Sequence, residues 1–151
     1  MIKLKRINGQ SIFEIPIETL RISPTLTAFF RNDQNKVYIF KNEKYEDKTI
    51  SRFAQFMHLF HNKAIHYKDY NDNVNIKTIN ELLSESEKDY LNGIDLYTAV
   101  QLINVAEETK IFYLMQLMII KISNAIKGKT KEELKSDLKI VFTYEPISKE
   151  I

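Results

Sequence analysis

Apolar and polar residues alternate at the start of the chain. Ile2 and Leu4 are interleaved with Lys3 and Lys5, and Phe13, Ile15 and Ile17 share one face of a second run from Ser11 to Ile17. A period of two marks half-buried strands. Asn8-Gly9 between the runs is a strong short-range hairpin signal. Ser23-Pro24 offers an N-cap followed by a proline at the first helical position, so a short helix through Phe29 and Phe30 is predicted. Val37 to Phe40 is a third strand. The period then lengthens to three and four, with Asp47 placed to cap a helix carrying Ile50, Phe53, Ala54, Met57 and Phe60 on one face.

From His61 the pattern dissolves into an Asn-, Asp-, Lys- and Tyr-rich stretch, read as a surface loop over about 62–83. Ser84 and Glu87 have the spacing of a capping box ahead of a short helix with Tyr90 and Leu91, which Gly93 ends. Asp95 can cap a helix carrying Leu96, Ala99, Val100, Ile103 and Ala106. A further helix is predicted from about Thr109 to Ile126, closed by Lys127-Gly128 with glycine at C′. Thr130 to Glu133 is another capping box, opening a helix with Leu134 and Leu138. The sum is a mixed α/β (α+β) fold, a small three-stranded sheet beside a predominantly helical body.

The 109–126 helix carries more apolar surface than docking by one face requires. Phe112, Met115, Ile119, Ile122 and Ile126 form one stripe, and Ile111, Leu114 and Met118 a second beside it. Either the helix is central and buried on all sides, or one stripe packs internally while the other awaits a partner.

Composition narrows the chemistry. The chain has 151 residues, enough for one domain, with 44% hydrophobic and 28% charged residues, close to globular averages. Twenty-two Lys and Arg against twenty Asp and Glu leave a net charge of +2, too little for a dedicated nucleic-acid binder. No cysteine is present, which excludes disulfides, thiolate metal sites and thiol nucleophiles. Three glycines in the whole chain make a phosphate loop implausible. The N-terminus has no continuous apolar core, and the apolar run from Ile111 to Ile120 is about half of what a bilayer span needs. A soluble intracellular protein that engages neither nucleic acid nor membrane is expected.

Few residues suggest catalysis. His58 and His61 stand one helical turn apart with His66 nearby, a spacing at which imidazoles could share a metal. No acid occupies a matching position on that face, so no metal and no cofactor are expected. In the pairs Glu107-Glu108 and Glu132-Glu133 adjacent helical side chains point about 100° apart and do not converge on a substrate. No nucleophile elbow accompanies the serines. Between Lys127 and Ile151 six lysines face five acids, a mixed surface rather than a phosphate-binding stripe. The chain is expected not to be an enzyme.

One segment carries a resemblance. Asn124-Ala125-Ile126-Lys127-Gly128-Lys129-Thr130, followed by Lys131-Glu132-Glu133-Leu134, resembles the A-N-M-I-K-G-K-T-P-E-E-I segment of the Skp-type adaptors, the S-phase kinase-associated protein family of SCF ubiquitin ligases. Upstream, LINVAEETKIFYLMQLM resembles that family's L-I-L-A-A-N-Y-L-D-I-K-G-L-L segment at the same distance, and IKLKRINGQSIFEI resembles its opening hairpin. The resemblance implies a BTB/POZ domain over 1–126 and a C-terminal helical extension over 127–151 that completes an F-box-binding region beginning near 95. It implies a non-catalytic adaptor bridging a cullin to F-box proteins for substrate ubiquitination, in cytoplasm and nucleus. By position, Ala99, Val100, Met115, Ile119 and Ile122 would line the F-box groove with Leu138 and Ile140, and Glu107, Glu108 and Lys110 would face the cullin.

Two departures bear on those expectations. Glu107-Glu108 stands where the family has Asn-Tyr, so two charges replace an aromatic anchor. Either cullin binding is lost, leaving an F-box-binding protein that acts as a decoy or in a non-ligase complex, or the cullin carries a compensating Lys or Arg. The chain also stops at VFTYEPISKEI, where the family's last helix continues. Resemblance to elongin C is the nearer alternative, but elongin C lacks the segment after the I-K-G-K-T motif. A homodimer in isolation is a further alternative, because an unpaired apolar groove tends to self-associate.

Overall fold

The computed structural model describes residues 1–66 and 83–127 and, beyond these, 129, 130, 132, 133 and 136. Three strands form one sheet in the order β2-β1-β3: β1 (Ile2–Arg6) pairs antiparallel with β2 (Phe13–Ile15) and parallel with β3 (Val37–Phe40). The expected three-stranded sheet beside a helical body is observed. Ile2 lies opposite Ile15 and Leu4 opposite Phe13, so the alternation seen in the sequence places Ile2, Leu4 and Ile15 in the core and leaves Lys3 and Glu14 exposed.

The predicted hairpin is formed, with a connection longer than a two-residue turn. The ladder ends at the Leu4–Phe13 pair, and neither Asn8 nor Gly9 has the positive φ of a two-residue primed turn. The first strand continues past its hairpin partner to pair with β3 as far as Arg6. Glycine is favoured at position 9 for another reason: a Cβ there would lie 3.1 Å from the Arg6 side chain.

A 3-10 helix (Ile17–Ile22) leads into α1 (Pro24–Phe30), where Ser23 caps as predicted and its Oγ accepts from the Leu26 amide at 3.1 Å. Helix α2 (Asp47–Ala64) is the centre of the fold. Its Ile50, Phe53, Phe56, Met57 and Phe60 are fully buried, with Phe53 edge-on to Phe40 of the sheet and Phe60 against Tyr113 on the other side. Asp47 does not cap this helix. Glu46 holds that position without a side-chain bond, while Asp47 accepts from Arg6 Nε at 2.5 Å and ties the helix start to β1. The helix reaches Ala64, past the expected loop start at 62; the rest of the expected loop, over 67–82, lies outside the described residues.

Helix α3 (Glu85–Asn92) has the predicted capping box, in which Glu87, itself buried, also accepts from Lys63 at 2.6 Å. Gly93 ends it in right-handed geometry. A Cβ there would lie 3.0 Å from the Arg52 guanidinium, which donates to the Gly93 carbonyl. Helix α4 (Leu96–Thr109) is capped by Asp95, whose Oδ1 accepts from the Thr98 amide at 2.7 Å. Helix α5 (Phe112–Ile126) follows. The expected continuous helix from Thr109 is interrupted at Lys110 and Ile111, for a reason given below.

Candidate protein-binding surface

The α4–α5 pair is built around its turn. Lys110 takes the left-handed conformation at φ 58° and ψ 40°, its amide bonds Glu107 O, and the Ile111 amide bonds Ala106 O at 3.0 Å. This is the Schellman arrangement, usually made with glycine and made here with lysine. The end of α4 is also anchored from a distance: Ser23 Oγ donates to Thr109 O at 2.7 Å across 86 residues, fully buried, while accepting from its own helix. Three of the carbonyls that the helix end leaves open, those of Ala106, Glu107 and Thr109, are therefore satisfied inside the fold.

This turn orients α5 so that Leu114, Leu117 and Met118 are buried along with Ile111 and Tyr113. The Ile111, Leu114 and Met118 stripe is thus the internal one. The other stripe emerges along the helix: Phe112 is buried, Met115 and Ile122 are half-buried against the core, and Ile119 and Ile126 are 41% and 38% exposed. The sequence alternative of a helix buried on all sides is not what is seen. Val100 of α4 is half-buried, whereas Ala99 is packed at 0% exposure with Leu102 and Ala106 in the core. Ala99 accordingly has no accessible surface to offer a groove, because adjacent helical residues point about 100° apart. Leu138, Ile140 and Gly128 lie outside the described residues. Between Gly128 and Leu138, Thr130 and Glu133 make the reciprocal capping bonds predicted, at 3.0 and 3.1 Å.

The two acids at the turn have different surroundings. Glu108 is turned onto the body of the fold: Tyr38 OH donates to its Oε2 at 2.6 Å, the Lys41 amide reaches the same oxygen at 3.4 Å, and Tyr45 OH donates to Oε1 at 3.5 Å. Burial, helped by the Glu108 carboxylate, pushes both phenols well above the ordinary tyrosine range. Glu107 and Lys110 are exposed. Of the two acids expected to face a cullin, Glu107 is thus exposed, while Glu108 is half-buried and held by two tyrosines and a backbone amide. A groove of about 850 Å³ opens beside them, with Tyr45, Ala106, Phe112 and Met115 among its walls.

Sequence reasoning missed the polar ties that position this face. Gln101 is buried on α4, its Nε2 donating to Lys44 O at 2.7 Å while its Oε1 accepts from Thr49 Oγ1 and from the Glu46 amide. With Glu108 and Ser23 it joins α4 to three distant segments. Nothing local in the sequence marks these ties, because each partner is more than 50 positions away.

The histidines do not converge. His58 and His66 are exposed, and His61 Nδ1 accepts from Arg21 at 3.2 Å. Burial and the Arg21 charge hold the His61 imidazole below its usual range, opposed by Glu18. Among the described residues no group of His, Asp and Glu is arranged to hold a metal, and no helix is long and apolar enough to cross a membrane. In comparisons with known proteins, no family model matches the chain and no curated protein matches it in sequence.

Proposed function

We propose that the chain is a non-catalytic adaptor of the Skp type with a BTB/POZ fold, which presents the outer face of α5 and the segment after it to F-box proteins. The observation that carries this reading is the row Met115, Ile119, Ile122 and Ile126, which surfaces on a helix whose opposite face is fully buried. A helix with an apolar face left to solvent is what a partner covers. The Thr130–Glu133 capping box supports a helix after the I-K-G-K-T motif and favours the Skp-type over the elongin C-like reading.

On this reading the adaptor bridges F-box receptors to a cullin at the α4–α5 turn, for ubiquitination of the receptors' substrates. A second reading, binding F-box proteins without a cullin, is favoured by Glu107, an exposed charge where the family has asparagine, and by Glu108, which replaces the family's aromatic residue beside it. Titration of the purified chain with an isolated F-box domain and, separately, with a cullin N-terminal domain tests both. Binding to both supports the bridge, binding to the F-box alone supports the second reading, and binding to neither overturns the proposal.

A further inference from the structure

A second cleft, of about 290 Å³, lies between α3 and α5, away from the apolar row. Its lining includes Leu91 and Asn92 from α3 and Leu117, Ile120, Lys121 and Asn124 from α5. At 100° per residue Lys121 and Asn124 stand roughly 140 to 160° around the helix from Ile119, so this site is separate from the proposed F-box face. Leu117 and Ile120 form an apolar wall, buried to 1% and 9% exposure. Among the described residues Lys121 makes no salt bridge, and neither its ammonium nor the side-chain amides of Asn92 and Asn124 has a hydrogen-bond partner. Half-buried Lys121 and two exposed amides, Asn92 and Asn124, therefore line one small cleft with apolar walls, none of the three paired with another described residue.

We propose that this cleft binds a carboxylate carried on an aliphatic stem, with Lys121 pairing the charge, Asn92 and Asn124 donating to its oxygens, and Leu91, Leu117 and Ile120 receiving the stem. One cation and two amides match a single negative charge better than a phosphate dianion, and the apolar walls match a methylene chain. Burial holds the Lys121 ammonium below its usual range, with Asp95 the charge that opposes this. Asp95 is itself committed to Lys48 at 2.8 Å and to the Thr98 amide, so its own carboxylate is already balanced. An arriving carboxylate would offset the desolvation that Lys121 now bears. The same chemistry is offered by a free short-chain acid and by a glutamate side chain of a bound protein.

The test is an NMR titration of the full chain with hexanoate, with N-acetyl-glutamate methylamide, and with neutral hexanamide, each to about 10 mM. Saturable shifts at Leu91, Lys121 and Asn124 with a carboxylate but not with hexanamide are expected. Lys121→Met, which keeps the apolar stem, should weaken that binding by about tenfold or more. Response to hexanoate alone identifies a free acid as the ligand, and response to the glutamate derivative identifies a protein side chain. No localised shift with either acid, or equal shifts with hexanamide, overturns the proposal. Should Lys121→Met fail to fold, the acid-against-amide comparison on the unaltered chain still decides.

Discussion

Tyr38 OH lies 2.6 Å from Glu108 Oε2, linking β3 to the end of α4 across 70 residues of sequence. Glu108 is thereby a structural acid, which changes how the turn can be probed. Glu108→Ala would leave Tyr38 OH, a buried donor, without its acceptor and should lower unfolding free energy by about 1 to 3 kcal/mol in urea titration. Exposed Glu107→Asn should stay within about 0.5 kcal/mol of the parent. Replacing both acids with Asn-Tyr would confound the two effects, so Glu107→Asn alone is the clean probe of cullin contact.

Tyr38 also contributes to the alkaline limit of stability, together with Tyr45 and the buried Tyr90. Tyr38 and Tyr45 both titrate above the ordinary value in the folded chain, chiefly through burial. For a group whose folded pKa is raised, stability is fully present below the unfolded value of about 10 and is lost as pH rises beyond it. Unfolding free energy should therefore be flat from neutral pH to near 10 and fall above it. Tyr38→Phe should make that fall shallower, and an unchanged slope would remove Tyr38 from the explanation.

At the acid end, burial raises the Asp95 pKa but is outweighed by hydrogen bonds from Lys48 and the Thr98 amide, leaving it at about 2. Its folded pKa is depressed, so its contribution is present above the unfolded value of about 3.9 and lost as pH falls through 2. Asp95→Ala should cost about 1 kcal/mol at neutral pH, the usual worth of an N-cap. The difference from the parent should shrink between about pH 4 and pH 2, as read by thermal unfolding across that range.

Lys110 occupies a conformation that costs a residue bearing a Cβ about 1 to 2 kcal/mol, partly offset in glycine by its greater freedom when unfolded. Lys110→Gly should stabilise the chain by about 0.5 to 1 kcal/mol. Lys110→Val, β-branched and poorly suited to positive φ, should do the reverse.

Local signals were the legible ones. Caps at Ser23, Ser84, Asp95 and Thr130 could be read because a cap and its amide lie within three residues. Asp47 looked like another, but a partner 41 positions away, Arg6, takes its carboxylate. The break at Lys110 was missed because glycine, not lysine, is the usual mark of a left-handed helix end. The two stripes of α5 were visible as periodicity, yet which of them faced inward depended on the angle at which the Ser23–Thr109 and Tyr38–Glu108 ties hold the α4–α5 turn. Ala99 and Val100 illustrate the limit of carrying contacts by position: one residue apart, one is core and the other half-exposed.

The central claim is that the α5 row is a partner surface rather than core, and Ile119 tests it most directly. Binding of the parent and of Ile119→Asp to an F-box domain should be measured by calorimetry, alongside thermal unfolding of each free chain. The parent should bind and Ile119→Asp should not, with unfolding little changed, since Ile119 is 41% exposed. No binding by the parent, or equal binding by the variant, would contradict the claim.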